Sequence, residues 1–205
     1  MDMVRRLDKE DFADYGRIQE SAYPQFKSMI RQDFYDFVTS SNGMDHYGLE
    51  RDGVLAGLYR YYRFEMNVAG RMLPVAGIGS VAVDAPYKRD HVCLGMIRQY
   101  HNLAAGEGRS LSALYPFNSA FYRKMGYGFG TRMYSFRINA CNLRRYEGVP
   151  RLRYLAPTEL DEFIGFHRRK VSERHGMMYK LPELLSFVVQ NGLLRYKLAV
   201  VEDAG

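Results

Sequence analysis

The stretch Gly77-Ile78-Gly79-Ser80-Val81-Ala82-Val83-Asp84-Ala85-Pro86-Tyr87-Lys88-Arg89-Asp90-His91-Val92-Cys93-Leu94 joins a strand, a turn and a helix in one run. Its apolar part begins at Leu73 and ends at Val83, and Gly77 and Gly79 interrupt it. Glycine inside a strand marks a bulge or a close approach of another group to the backbone. Lys88 and Arg89 follow in the turn, and from there to Ala105 the residues Leu94, Ile97 and His101 recur on one side of a helix. A helix N-terminus presents unpaired N–H groups and a partial positive charge. With two cations ahead of it, it makes an anion site that suits a pyrophosphate. The same residues also read as a plain strand–turn–helix with two solvated cations, because basic turns are common.

Outward from this stretch, strands and helices alternate. Val4-Arg5-Arg6-Leu7 reads as a short strand. Asp8, with Asp11 three residues on, reads as the cap of a helix carrying Phe12, Tyr15 and Ile18. Beyond Pro24 a second helical pattern runs through Phe26, Ile30, Phe34 and Phe37, and Ser40-Ser41-Asn42-Gly43 is a loop. His46 to Glu50, the turn Arg51-Asp52-Gly53 and the aromatic run Val54 to Phe64 form a hairpin. Leu111 to Leu114 is a short strand. Ser119 to Met125 is a short helix capped by Asn118 and stopped by Gly126. Thr131 to Ile138 alternates as a final strand. This order predicts a layered α+β domain with a mixed sheet.

The composition agrees. Of 205 residues, 47% are hydrophobic and 25% charged, which suits one globular domain and a fraction, and excludes a disordered chain, a collagen and a coiled coil. Cys93 and Cys141 are too few for a disulfide scaffold and fit a reducing compartment. The charged N-terminus has no apolar stretch behind it, and Leu73 to Val83 falls short of the ~20 residues of a membrane span. A cytoplasmic protein with no membrane partner is expected. Lys and Arg total 29 against 23 Asp and Glu, and the net charge of +6 favours an anionic ligand. The five histidines show no metal-ligand spacing, so no metal is expected. Arg168-Arg169-Lys170 reads as a solvated helix face with no aromatic-interleaved motif beside it, so no nucleic acid is expected. Cys93 reads as a small buried hydrophobe.

A second stretch runs Leu114-Tyr115-Pro116-Phe117-Asn118-Ser119-Ala120-Phe121-Tyr122-Arg123-Lys124-Met125-Gly126-Tyr127. A tyrosine hydroxyl near the end of a strand can donate a proton to a thiolate leaving group. Its aromatic residues equally suit a core. Taken with Gly-Ile-Gly-Ser-Val-Ala-Val at 77–83 and Tyr87-Lys88-Arg89, it resembles the GNAT-superfamily N-acetyltransferases of the enhanced intracellular survival (Eis) type. The resemblance covers most of residues 1–140, and Leu-Tyr-Pro-Phe followed by Phe-Tyr-Arg-Lys-x-Gly-Tyr is its more specific part.

The resemblance implies an acyl-CoA N-acyltransferase fold, a mostly antiparallel central sheet flanked by helices, with acetyl-CoA as co-substrate. The backbone of Val81, Ala82 and Val83 would pair with the pantetheine arm. The turn Lys88, Arg89, Asp90, His91, Val92, Cys93 and Leu94 would hold the pyrophosphate. Phe117 and Asn118 would line the CoA channel, and Tyr122 would be the general acid for the departing thiolate. The amine attacks the thioester directly. The acceptor would be a primary amine of aminoglycoside, polyamine or lysine type, and the full-length chain has room for a homo-oligomer. The base stays open among Glu65, His91 and a bound water. The superfamily's turn carries glycine where this chain has His91 and Cys93. Glycine there permits positive φ and a close approach to phosphate. The departure leaves a second reading beside the enzyme, a non-catalytic domain of the same fold for assembly or ligand sensing. A third is a basic nucleic-acid-binding module, which salt-dependent DNA binding without CoA binding would favour.

The tail repeats the opening. Leu152-Arg153-Tyr154-Leu155 lies on Val4-Arg5-Arg6-Leu7, and at the same offset Leu160, Phe163 and Phe166 lie on Phe12, Tyr15 and Ile18. Tyr196 to Asp203 resembles His46 to Asp52. The expected division is an acetyltransferase domain over 1–149 and, over 150–205, a partial second unit that breaks off at Gly205. A small helical appendage pairing its last strand with the first sheet is the alternative.

Overall fold

The aromatic run at 54–64 pairs on both sides, and the sheet grows from it. The computed structural model describes residues 2–24, 43–130, 134–143, 151–154, 156–180, 182–183, 185 and 199–202. Strands β1 (Asp2–Arg6), β2 (Met44–Arg51), β3 (Val54–Val68) and β4 (Arg71–Val83) are antiparallel neighbours in that order. Strand β5 (Leu111–Leu114) joins β4 in parallel at Val75–Ile78. A parallel step needs a crossover, and helix α2 (Val92–Gly106) supplies it. Helix α1 (Phe12–Ala22) covers the other face. This is the expected layered α+β architecture, a mixed sheet between helices.

Alternation along β3 builds two cores. Leu58 joins Leu7, Tyr15, Ile18, Leu55 and Ala82 under α1. Tyr59 and Tyr61 join Ile78, Met96, Ile97 and Tyr100 under α2. The strand glycines have their reason on the α1 side. A Cβ at Gly77 would lie 2.5 Å from the Phe64 ring, and one at Gly79 would lie 3.1 Å from the Tyr62 ring. The bare backbone lets these two rings lie on β4, stacked with centroids 5.1 Å apart. The helix start at Asp8 is a reciprocal cap: its side chain accepts from Glu10 N–H at 2.9 Å, and Asp11 accepts from Asp8 N–H at 2.9 Å.

His46 on β2 makes the fold sensitive to acid. It is 1% exposed and lies edge-on to Tyr15, with centroids 4.9 Å apart. Burial, then the cations Arg60 and Arg6, hold its pKa down to about 2. The unfolded chain takes a proton near pH 6.5 and the folded chain does not, so stability is full above that pH and is lost as pH falls. We expect this one residue to cost about 2 kcal/mol between pH 7 and 5. Urea midpoints measured across that range should fall less steeply in His46→Phe; an equal slope would remove His46 as the cause.

The expected strand at Thr131 to Ile138 needs correction. Residues 131–133 lie outside the described residues, and Tyr134 to Asn139 form no strand. Tyr134, Phe136 and Ile138 are exposed. Alternation makes a strand only where an edge accepts it, and none of the described strands pairs with this segment. The second helical pattern at Phe26 to Phe37 and the loop residues Ser40 to Asn42 also lie outside the described residues.

In the tail, β6 (Arg151–Tyr154) pairs antiparallel with β8 (Ala199–Glu202), Leu152 opposite Val201 as Val4 is opposite Leu49. Between them come helix α4 (Leu160–Ser172) and β7 (Met178–Tyr179). Glu159 accepts from Ala156 N–H at 2.7 Å, the counterpart of Asp11 and Asp8. Strand β7 pairs with β3 at Glu65 and Met66, beyond the point where β2 begins. Arg168 lies over the Tyr179 ring, and Lys170 bonds Glu173 at 2.8 Å, so this basic run engages the chain's own groups. No helix among the described residues is long and apolar enough to cross a membrane.

Candidate active site

The site begins where β4 loses β5. The two strands pair from Val75 and Leu111 as far as Ile78 and Leu114; β4 runs on to Val83, while after Leu114 the chain leaves for helix α3 (Ser119–Arg123). A wedge opens between them. At its inner end β4 bulges: the register against β3 shifts between Leu58 and Arg60, and Ser80 adopts φ +49°. Past the bulge, Ala82 lies opposite Leu58 and Val83 opposite Gly57. Asp84 N–H donates to Ala56 C=O at 2.9 Å. Alternation from that bond turns the Ala82 main chain toward β3 and the Val83 main chain away from it, into the wedge. Tyr23 donates to Val81 C=O at 2.9 Å and Gln19 to Ser80 C=O at 2.9 Å. Of the three residues expected to meet a pantetheine arm, Val83 offers its main chain most directly.

The basic turn sits at the outer end. Arg89 and His91 both adopt positive φ, +79° and +59°, and His91 stands immediately before the helix. His91 therefore holds the left-handed conformation that glycine adopts without strain, at a cost of about 1 kcal/mol. Lys88, Arg89, Asp90 and His91 are exposed, whereas Val92 is a core residue. Asp90 is drawn aside: Arg51 bonds its backbone carbonyl at 3.3 Å and lies 3.7 Å from its carboxylate. Leu94 and Cys93 are half-buried in the first helical turn. Burial pushes the Cys93 thiol up to about 11, so it stays protonated at neutral pH and is no reactive thiolate.

Across the wedge, Asn118 caps α3 by accepting from Phe121 N–H at 3.2 Å. The exposed Phe117 ring meets the edge of Tyr122, centroids 5.7 Å apart. Tyr122 is buried, and burial, then Cys93, Tyr23 and Tyr127, raises its pKa above that of a free phenol. The hydroxyl therefore stays protonated at every working pH. Behind it, Tyr127 shares a hydrogen-bonded chain with Ser112 (2.8 Å) and His101 (3.0 Å). Ser112 continues it to Tyr100 (2.9 Å), which donates to Ala76 C=O (2.7 Å). The chain pins the turn after α3 and with it the Tyr122 backbone, whose carbonyl accepts from Met125 N–H at 2.9 Å. Glu65, one of the residues left open as base, lies at the other end of β3, opposite Pro74 and beside β7. It takes no part in this site.

Sequence reading missed Gln19 and Tyr23. One signal was present: Gln19 shares the buried stripe of α1 with Tyr15 and Ile18, and a polar side chain on an apolar stripe needs a hydrogen-bond partner.

Known proteins are similar to this chain in sequence and in fold. An uncharacterised N-acetyltransferase of Streptomyces avermitilis is 31% identical over 129 residues, 59% of this chain and 31% of that protein. The N-acetyltransferase Eis of Mycobacterium tuberculosis is 26% identical over 133 residues, 58% of this chain and 33% of Eis. The chain thus spans about a third of the length of these relatives. A solved GCN5-related N-acetyltransferase from Kribbella flavida superposes with a TM-score of 0.76 at 20% identity, over 99% of this chain and 53% of its own. The family model described as an acetyltransferase (GNAT) domain matches residues 3–130, well over half the chain, and the chain belongs to the GNAT acetyltransferase family.

Proposed function

We propose that this chain binds acetyl-CoA in the wedge and transfers its acetyl group to a primary amine. One observation carries the reading: the parting of β4 and β5 ends at a helix N-terminus on one side and at Tyr122 on the other. The pyrophosphate would lie on the N–H groups of the first turn of α2, beside Lys88 and Arg89. The pantetheine arm would pair with Val83 as an added strand pairs with a sheet edge. Phe117 and Asn118 would border it. The arm then runs along β4 from Val83 toward the bulge, and its thioester arrives near Tyr122. The amine nitrogen attacks the thioester carbon and the carbon–sulfur bond breaks. The Tyr122 hydroxyl protonates the leaving sulfur, and the nitrogen's proton goes to water. The acceptor class, aminoglycoside, polyamine or lysine side chain, is a matter for an amine screen. A cytoplasmic location goes with this co-substrate and with two unpaired cysteines.

Calorimetric titration with acetyl-CoA tests the reading. Micromolar, one-to-one binding is expected. A folded protein that binds none at high concentration would overturn it and leave a non-catalytic domain. His91 separates the two in a second way. Its φ of +59° is already present without ligand, so relieving it stabilises free and bound chain alike; what glycine changes for the ligand is the ring, whose removal opens the turn to the pyrophosphate, so His91→Gly should tighten acetyl-CoA binding a few-fold. Weaker binding would make the imidazole itself a phosphate contact.

We also propose that residues 150–205 open a second unit of the same design, with 1–149 as the first. The matching order of β6, α4 and β8, and the paired caps at Asp11 and Glu159, support this division.

A further inference from the structure

We infer that Gln19 and Tyr23 are positioning residues for the thioester, a latch by which α1 holds the β4 bulge in the shape that receives the acetyl group. The inference rests on the wedge being the acetyl-CoA site. It starts from Ser80. A serine at φ +49° is strained, and such a conformation persists only where its surroundings over-determine it. Here the surroundings are two side chains of one helix and its cap. Gln19, 4% exposed, donates to the Ser80 carbonyl, and Tyr23 donates to the Val81 carbonyl, each at 2.9 Å. Both carbonyls are thereby drawn to the α1 face.

Their positions decide what this does. An arm entering at the basic turn and pairing with Val83 meets the bulge last, so the bulge faces its acyl end and not its pantetheine end. Tyr23 reaches the bulge from the α1 face, and Tyr122 packs into the core on the α2 face. The latch and the proposed acid therefore approach the end of β4 from opposite faces of the sheet. Drawing the Ser80 and Val81 carbonyls away also keeps two negative dipole ends off a carbonyl oxygen that gains negative charge in the reaction. Without the latch the bulge would relax toward a regular register, and at least one of these carbonyls would return to the wedge.

The test compares acetyl-CoA with CoA, which differ only at the acyl end. Tyr23→Phe keeps the ring and removes the donor; Gln19→Leu keeps the bulk and removes the other. Each should weaken acetyl-CoA about ten-fold while CoA stays within about two-fold. The double variant should lose little more than either single one, since both act on one bulge. Equal losses for the two ligands would mean a purely structural role and would overturn the inference, as would no loss in either. Amide exchange at Gly79–Val83 reads the latch with no ligand present. It should quicken about ten-fold in Tyr23→Phe, and unchanged exchange would also overturn the inference. A wild-type chain that binds neither ligand, with the quickened exchange still seen in Tyr23→Phe, would overturn the acetyl-CoA reading and the latch's catalytic purpose, and would leave the latch as a structural device.

Discussion

Tyr122→Phe should lower acetyl transfer by about a hundred-fold or more, the usual worth of a positioned general acid, while acetyl-CoA binds as before. The phenyl ring would keep the aromatic contacts that Tyr122 makes with Phe117, Phe121 and Tyr127, so α3 should hold its place. What goes is one proton. A CoA thiolate expelled from a tetrahedral intermediate, whose oxygen carries the negative charge, is a fair leaving group in water. In a half-buried wedge its charge is poorly solvated, and protonation as the bond breaks lowers the barrier. Burial raises the Tyr122 pKa, so the phenol stays protonated through the whole working range. The wild-type rate should then show no acid-side or neutral limb from this group; any neutral limb belongs to the acceptor amine, which attacks only when deprotonated. Steady-state rates with a saturating amine, paired with calorimetric acetyl-CoA titrations, separate the outcomes. An unchanged rate removes Tyr122 from its role. A rate and an affinity that fall together mean that the hydroxyl held the fold of the wedge.

Most of this site was legible in the residues, for a physical reason. The basic turn, the helix start and the Asn118 cap are local features, each set by neighbours within a few positions, and sequence carries local features well. The parting of β4 and β5 was not legible in the residues. Gly77 and Gly79 suggested a bulge or a close approach, and both are present: rings of β3 against the glycines, and the bulge one residue further on. The grip of Gln19 and Tyr23 on β4 spans about sixty residues of chain, and no spacing rule reaches that far. Thr131 to Ile138 failed for the opposite reason. Its alternation is a statement about one strand, and a strand also needs a partner edge. The docking of β7 on β3 escaped notice because Met178–Tyr179 is too short to show any period.

That docking depends on Asn67, and Asn67→Leu should release α4 and β7 from the first sheet. Asn67 is 2% exposed, near the end of β3, and every polar group it has is used. Its side-chain amide donates to the Val171 and Ser172 carbonyls, at 3.0 and 2.6 Å, satisfying two carbonyls at the C-terminal end of α4. Its side-chain oxygen accepts from Gly70 N–H at 2.8 Å in the β3–β4 turn. Its backbone bonds Met177 C=O at 3.0 Å and Gly176 N–H at 2.7 Å. Leucine is close in size, and the backbone bonds can survive it, but the Ser172 carbonyl and the Gly70 N–H lose their partners, and the Val171 carbonyl keeps only Arg174 N–H at 3.3 Å. At about 1–3 kcal/mol for a buried group left unsatisfied, the loss is on the order of 2 kcal/mol even if the turn N–H finds water. Asn67→Asp should cost more. It keeps the acceptor for Gly70 but sets a negative charge against two carbonyl oxygens at the negative end of a helix dipole. Hydrogen exchange across 160–180 should therefore quicken in the order wild type, Leu, Asp. Acetyl-CoA binding should not change, because Asn67 and Val83 lie at opposite ends of the β3–β4 pair. Equal exchange in all three proteins would show that apolar contacts, and not this amide, hold the tail to the sheet.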